Sequence, residues 1–221
     1  RNDAKALCEL ANKYQCLTIV DAVTSLGGIE LKVDDWGIDA IYSGSQKCLS
    51  CVPGISPVSF SDRAVSLIQN RKTKVQSWFL DMNLIVGYWG SGAKRAYHHT
   101  APVNSMYAMY ESLLMLREEG LENAWQRHQR GHEALAQGLE ALNLTLAVDK
   151  NYRLPQLNVV EIPSGVNDAD VRQRLLNEFN LEIGAGLGEF AGKVWRIGLM
   201  GYACKPRNID HCLAALKQVL K

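Results

Sequence analysis

The chain has 221 residues, 47% of them hydrophobic and 21% charged, the composition of an ordinary globular protein with enough residues for one large or two small domains. Its net charge of +1, with the signs interspersed, gives no basic footprint for nucleic acid and no acidic tail, so a small-molecule partner is expected. No apolar run nears the ~20 residues of a membrane span and the opening RNDAKALCEL lacks the form of a secretory signal, so no membrane partner, a cytosolic setting and reduced cysteines are expected.

Ala4, Leu7, Leu10 and Ala11 fall on one face of residues 3–14, which predicts a helix feeding an apolar strand at 17–21. A helix followed by a short, wholly apolar strand is the repeating unit of a parallel sheet covered on both faces. Gly27-Gly28 marks a turn, 33–39 a loop, and Asp39-Ala-Ile-Tyr-Ser-Gly-Ser-Gln-Lys47 a second apolar strand that breaks at Ser-Gly-Ser. Pro53-Gly54 predicts another turn, Ser56–Phe60 a strand whose Pro57 argues for an edge or an early position, and Ser61-Asp62 the cap of a helix reaching about Asn70.

Residues 71–100 show poor periodicity and are rich in Lys, Trp, Tyr and His, the pattern of an irregular functional or interfacial segment. Asn104 is expected to cap a helix from Met106 to Glu119, closed by Gly120. A second helix follows over 121–141, weakened at Gly131 and Gly138. Strands are expected near 144–148, 157–162, 181–184 and 193–199, with helices at Asp168–Phe179, initiated by Asn167, and at Pro206–Leu220. The division expected is a larger domain over 1–143 and a smaller αβ domain over 144–221.

Lys47 and Asp21 carry the chemical argument. Ligands in open α/β sheets bind beyond the carboxyl ends of the strands, and here two neighbouring runs end there in an amine and a carboxylate. Pyridoxal phosphate needs that pair: a lysine holds its aldehyde as a Schiff base, and a carboxylate keeps its ring nitrogen protonated. A lone loop lysine is ordinarily only solvated, and Asp21 is what sets Lys47 apart. Other signals are weaker. Cys48-Leu-Ser-Cys51 has metal or redox spacing but no partner pair, and reads as packing. On a regular strand His98 and His99 would face opposite ways and could not share a metal, so no metal site is expected. Gly184-Ala-Gly186-Leu-Gly188 has Glu189 where a dinucleotide loop needs its third glycine, and reads as a flexible loop near a substrate entrance.

VDAVTSLGG at 20–28, YSGSQKCL at 42–49, RKTKVQSWFLD at 71–81, YHHTAPVNSMYA at 97–108 and GKVWRIGLMG at 192–201 together resemble the alanine-glyoxylate and serine-pyruvate aminotransferases. These are class V aminotransferases of the fold-type I pyridoxal phosphate superfamily. The resemblance runs from Asp3 to the C-terminus. It implies an α/β fold comprising a partial large domain with a mostly parallel sheet and a smaller α+β domain. Family members carry a long portion ahead of the aspartate strand, so a chain opening at Arg1 is expected to lack it, together with the phosphate cradle and the aromatic that stacks on the ring.

The resemblance also implies roles. Lys47 and Asp21 would be catalytic and cofactor-binding. Gln46 would hold the phosphate and Val23 would pack on one ring face. Tyr97 and Thr100 would reach the phosphate of the neighbouring subunit in a homodimer, and Arg196 would grip the substrate α-carboxylate. Alternation along 194–200 independently sets Arg196 opposite in facing to Trp195 and Ile197, where a salt-bridged structural arginine is the competing reading. The activity implied is amino transfer from alanine or serine to glyoxylate or pyruvate. The alternatives are other class V chemistry (phosphonate amino transfer, a lyase, or a desulfurase, which usually has His where Gln46 stands) and an inactive fragment or assembly partner.

Overall fold

In the computed structural model, which describes residues 1–89 and 96–221, Asp3 caps the first helix. Its carboxylate accepts the Ala6 N–H at 3.0 Å, and α1 runs over Ala4–Lys13. The face α1 buries differs from the one expected. Cys8 is buried against Ala22, Ile38 and Ile41, whereas Leu7 and Leu10 are 55% and 54% exposed. Periodicity finds the helix; the side that is covered depends on which neighbour is present.

The strand β1 (Ile19–Asp21) is shorter than the predicted 17–21 and pairs in parallel with β2 (Ala40–Tyr42), placing Asp21 beside Tyr42. The third strand, β3 (Val58–Phe60), follows Pro57 and adds an antiparallel edge, as open α/β sheets commonly allow. At the amino ends of the parallel pair, buried Asp39 is fully engaged. It accepts from the Thr18 N–H at 3.1 Å and the Ser61 hydroxyl at 2.9 Å, while its own N–H donates to the Thr18 hydroxyl at 2.8 Å. Ser61 also accepts the Ala64 N–H at 3.1 Å, which starts α2 (Asp62–Gln69) where the sequence places it.

The stretch expected to be irregular contains a helix, α3 (Met82–Trp89). Nearly all its residues are apolar, so no polar face exists to generate a periodic signal. Residues 90–95 of that stretch lie outside the described residues. Helix α4 (Val103–Glu119) begins three residues earlier than expected: Pro102 occupies the cap position, and Asn104 falls inside the first turn without capping it. Gly120, at φ 83°, turns the chain into α5 (Leu121–Ala141), which is unbroken. Its two glycines mark close approaches. A Cβ on Gly131 would lie 2.5 Å from Cys204 Sγ, and one on Gly138 would lie 2.1 Å from Leu213 Cδ1.

In the last third, β4 (Leu157–Glu161), β5 (Gly184–Ala185) and β6 (Val194–Gly198) form an antiparallel sheet in the order β4-β6-β5. The strand expected at 144–148 is reduced to a single bridge between Leu146 and Val160. Helix α6 (Asp168–Phe179) is capped by Asn167, whose side chain accepts the Asp170 N–H at 3.1 Å, and stops at left-handed Asn180. Helix α7 (Pro206–Val219) has its proline in the first turn. Leu135, Leu139, Val160, Leu175, Trp195 and Leu216 are wholly buried at the centre, so α5 packs on this sheet together with α6 and α7. At Gly186 a Cβ would sit 2.0 Å from the Phe190 carbonyl oxygen, so this glycine permits a close backbone approach between β5 and the segment leading to β6. Among the described residues no helix is long and apolar enough to cross a membrane.

Candidate functional site

The parallel register of β1 and β2 brings the first pair together. Asp21 ends β1 beside Tyr42, whose hydroxyl donates to Asp21 Oδ2 at 2.9 Å, while the Val23 N–H donates to Asp21 Oδ1 at 2.9 Å. The carboxylate is thereby aimed, with one hydrogen bond on each oxygen and open lone pairs on both. The same bond pushes the Tyr42 phenol up from its ordinary value, because losing its proton would place a second anion against Asp21. Tyr42 went unrecognised in the sequence, where it reads as one more strand aromatic; only the 21-residue offset between paired strands sets it against Asp21.

Beyond β2 the chain turns sharply. The Ser43 hydroxyl donates to the Ala22 carbonyl at 2.9 Å, binding the ends of β1 and β2 together. Gly44 follows, and the space a Cβ would fill there is bounded by Gln46 Oε1 at 2.9 Å and Val23 Cγ1 at 3.4 Å. Val23 and Gln46, named separately from the sequence, therefore converge over Gly44 at the end of the parallel pair. Lys47 comes next, half-buried, with no ion pair to its amine among the described residues.

The backbone presenting Lys47 is pinned along its length. The Ser45 hydroxyl donates to the Val52 carbonyl at 2.6 Å, the Cys51 N–H to the Ser45 carbonyl at 3.0 Å, and the Ser112 hydroxyl to the Leu49 carbonyl. Buried Cys48 donates its thiol to the Thr24 carbonyl at 3.4 Å, and burial pushes its pKa up to about 11, so it is an inert packing thiol rather than half of a reactive pair. All six cysteines are free thiols.

Arg196 lies on β6 with the predicted alternation: Trp195 and Ile197 are buried and Arg196 is half-buried on the other face. Its Nε donates to the Ala185 carbonyl at 2.7 Å. Among the described residues it forms no ion pair, and its two terminal nitrogens have no hydrogen-bond acceptor there. Tyr97 and Thr100 form a separate group. Their hydroxyls are 2.6 Å apart, Tyr97 is 74% exposed, and its ring meets Tyr88 edge-on. Among the described residues neither is hydrogen-bonded to Asp21 or Lys47.

The two histidines correct an expectation. They lie in non-strand backbone rather than on a regular strand, with Nδ1 atoms 2.8 Å apart and ring centroids separated by 5.1 Å. His98 also stacks on Trp78 at 4.0 Å, and its Nε2 lies 3.1 Å from the Trp78 carbonyl, so the pair is spent on internal packing.

The chain belongs to the class-V aminotransferase family, whose profile matches residues 1–204. It is 45% identical over 215 residues to alanine–glyoxylate aminotransferase of Rattus norvegicus, covering 96% of this chain and 52% of that protein. It is 38% identical to (S)-ureidoglycine–glyoxylate transaminase of Bacillus subtilis, covering 98% of this chain and 56% of that protein. The crystal structure of an alanine–glyoxylate aminotransferase from Nostoc superposes with a TM-score of 0.96 at 51% identity, over 100% of this chain and 58% of that one. The chain thus spans about half the length of the curated relatives it matches, and its α/β fold is that of part of such an enzyme.

Proposed function

We propose that the chain carries half of the active site of a pyridoxal phosphate-dependent transaminase that moves the amino group of a small amino acid, alanine or serine, to glyoxylate or pyruvate. The observation that supports this is that Asp21 ends one of two adjacent parallel strands while Val23 and Gln46 approach each other over Gly44 just beyond them, three residues ahead of Lys47. All three relatives described above are named for glyoxylate, which favours it as the acceptor.

The residues present suit the cofactor. Gly44 leaves open the space that a Cβ would fill between Val23 and Gln46, and Asp21 is an anchored carboxylate beside it. Pyridoxal phosphate, when bound, supplies an aldehyde to accept the amino group and a ring to withdraw electrons from it. Lys47 Nζ would hold the cofactor through its aldehyde and would serve as the base that moves the proton at the substrate α-carbon. Asp21 would keep the proton on the ring nitrogen, Val23 would pack on one ring face, and Gln46 would bind the phosphate. Arg196 offers its two terminal nitrogens to the substrate carboxylate in the paired geometry that a guanidinium allows. Tyr97 and Thr100 serve the phosphate of a second subunit across a homodimer, which accounts for an exposed hydroxyl pair outside the Asp21–Lys47 group. The division into domains at 143/144 belongs to the same proposal, supported by the second sheet, α6 and α7 all falling after it.

The test is borohydride reduction in the presence of pyridoxal 5'-phosphate, followed by peptide mapping. The pyridoxyl label is expected on Lys47 and lost in Lys47→Ala with the fold retained. Label on another lysine would overturn the assignment. A steady-state panel of alanine, serine and phosphonate donors against glyoxylate and pyruvate then fixes the substrates.

A further inference from the structure

Ser50 stands three residues past Lys47 with φ 59°, left-handed backbone that residues other than glycine, asparagine and aspartate adopt reluctantly. Its N–H donates to the Lys47 carbonyl at 2.9 Å, so the left-handed residue sits at the exit of the lysine turn and directs where the chain leaves it. A backbone held against its preference needs neighbours that over-determine it. The neighbour is the turn after β6. The Tyr202 N–H donates to Ser50 Oγ at 2.8 Å across 152 residues of sequence. Gly201, at φ 55°, lies so close that a Cβ would come within 2.9 Å of the Cys48 carbonyl oxygen and nearer still to Ser50 Oγ.

The far side of Gly201 is equally fixed. Its N–H donates to His128 Nε2 at 2.9 Å and its carbonyl accepts from Arg127 Nη1 at 2.6 Å. His128 Nδ1 lies 2.6 Å from the Ala124 carbonyl, so it is the protonated nitrogen and Nε2 is free to accept. Helix α5 therefore clamps the turn that touches Ser50, and that turn follows the strand bearing Arg196 by only three residues.

We propose that Ser50 is a positioning residue: through its hydroxyl the Gly201–Tyr202 turn locks the lysine turn and sets the Lys47 amine relative to the strand that carries Arg196. The inference rests on reading Lys47 as the cofactor lysine. Proton transfer and carboxylate binding act on the same small substrate, so the two groups that perform them must keep a constant separation, and small misplacements are costly in rate.

Ser50→Gly isolates the effect, since glycine accepts the left-handed backbone while removing the hydroxyl. Ser50→Asn is the rescue, because asparagine tolerates the same backbone and restores a short acceptor. In the 221-residue chain, Ser50→Gly should raise amide exchange at Ser50, Gly201 and Tyr202 about tenfold. It should also lower the borohydride-trapped pyridoxyl label on Lys47 about tenfold at a fixed, sub-saturating pyridoxal 5'-phosphate concentration. The thermal midpoint should move little, and Ser50→Asn should recover both signals. Unchanged exchange and label in Ser50→Gly, or a Ser50→Asn chain that behaves like Ser50→Gly, would overturn the proposal. Label on a different lysine in the unsubstituted chain would instead sink the reading of Lys47, while amide exchange would still decide whether Ser50 locks the turn.

Discussion

Arg196 and His128 show how one side chain's surroundings determine what it can do. With its Nε committed to the Ala185 carbonyl and no carboxylate paired to it among the described residues, Arg196 keeps a fork of donors whose geometry lysine cannot copy. In an active, cofactor-loaded form of the protein, Arg196→Lys should raise KM for every carboxylate substrate by about ten- to a hundredfold, the range expected for losing a charge-assisted bond, with the thermal midpoint nearly unchanged. Unaltered KM values with a sharp fall in stability would return Arg196 to a structural role. His128 predicts a pH dependence. Burial, the largest cause, depresses its pKa below the ordinary value, with the Arg127 charge adding to the effect and the Ala124 hydrogen bond and Glu119 opposing it. The unfolded chain therefore binds the proton more readily than the folded one. The stability His128 contributes is fully present above its unfolded pKa of about 6.5 and is lost as pH falls through the lower folded value. Urea midpoints should drop as pH falls below about 6.5, and His128→Gln, neutral throughout and still able to accept from Gly201, should flatten that drop. The carboxylates held below their usual range by arginine partners, Glu119 by Arg127 and Asp168 by Arg172, act further down, near and below about pH 4.

At the scale of the element, α5 is set by its glycines. Gly131 and Gly138 lower helix propensity, which would argue for a break, yet the helix runs unbroken because the same positions admit Cys204 and Leu213. The two effects oppose each other in Gly138→Ala: alanine gains up to about 1 kcal/mol of propensity, while a methyl group 2.1 Å from Leu213 Cδ1 overpacks the α5–α7 contact at a cost of about 1–3 kcal/mol. Packing should win, giving net destabilisation. In a double-mutant cycle with Leu213→Ala the penalty should largely vanish, since the clashing atoms are gone. A stabilised Gly138→Ala chain would mean that α7 does not press on α5 as described.

For the whole molecule, the apolar residues left open are the telling feature. Leu7, Leu17 and Ile19 are 55%, 49% and 76% exposed, and together with Val20 and Asp21 they line an open groove of ≈ 990 Å³ beside α1 and β1. Contiguous apolar surface of this kind is a site of association. The 221-residue chain alone should bind an apolar fluorescent dye and scatter light at micromolar concentration, and Leu7→Lys with Ile19→Lys should reduce both signals. A monodisperse chain that binds no dye would show that this face needs no cover.

Sequence alone determined the local order of the chain and the candidate chemistry. The Ser61 and Asn167 caps, the run of helices and strands, the alternation at Arg196 and the positions of Asp21 and Lys47 past two apolar runs are legible because capping, periodicity and strand-end chemistry act over a few residues. Tertiary structure decided what depends on distant partners. Cys8, rather than Leu7, faces the core because the strands beside it choose the side. Helix α3 was illegible because a uniformly apolar segment has no period, and residues 144–148 became a single bridge because a strand is defined by its partner. Tyr42 meets Asp21 through strand register, and Ser50 holds a left-handed turn because Tyr202, 152 residues away, supplies the hydrogen bond. Those contacts are made by folding, so no local rule of propensity or spacing encodes them.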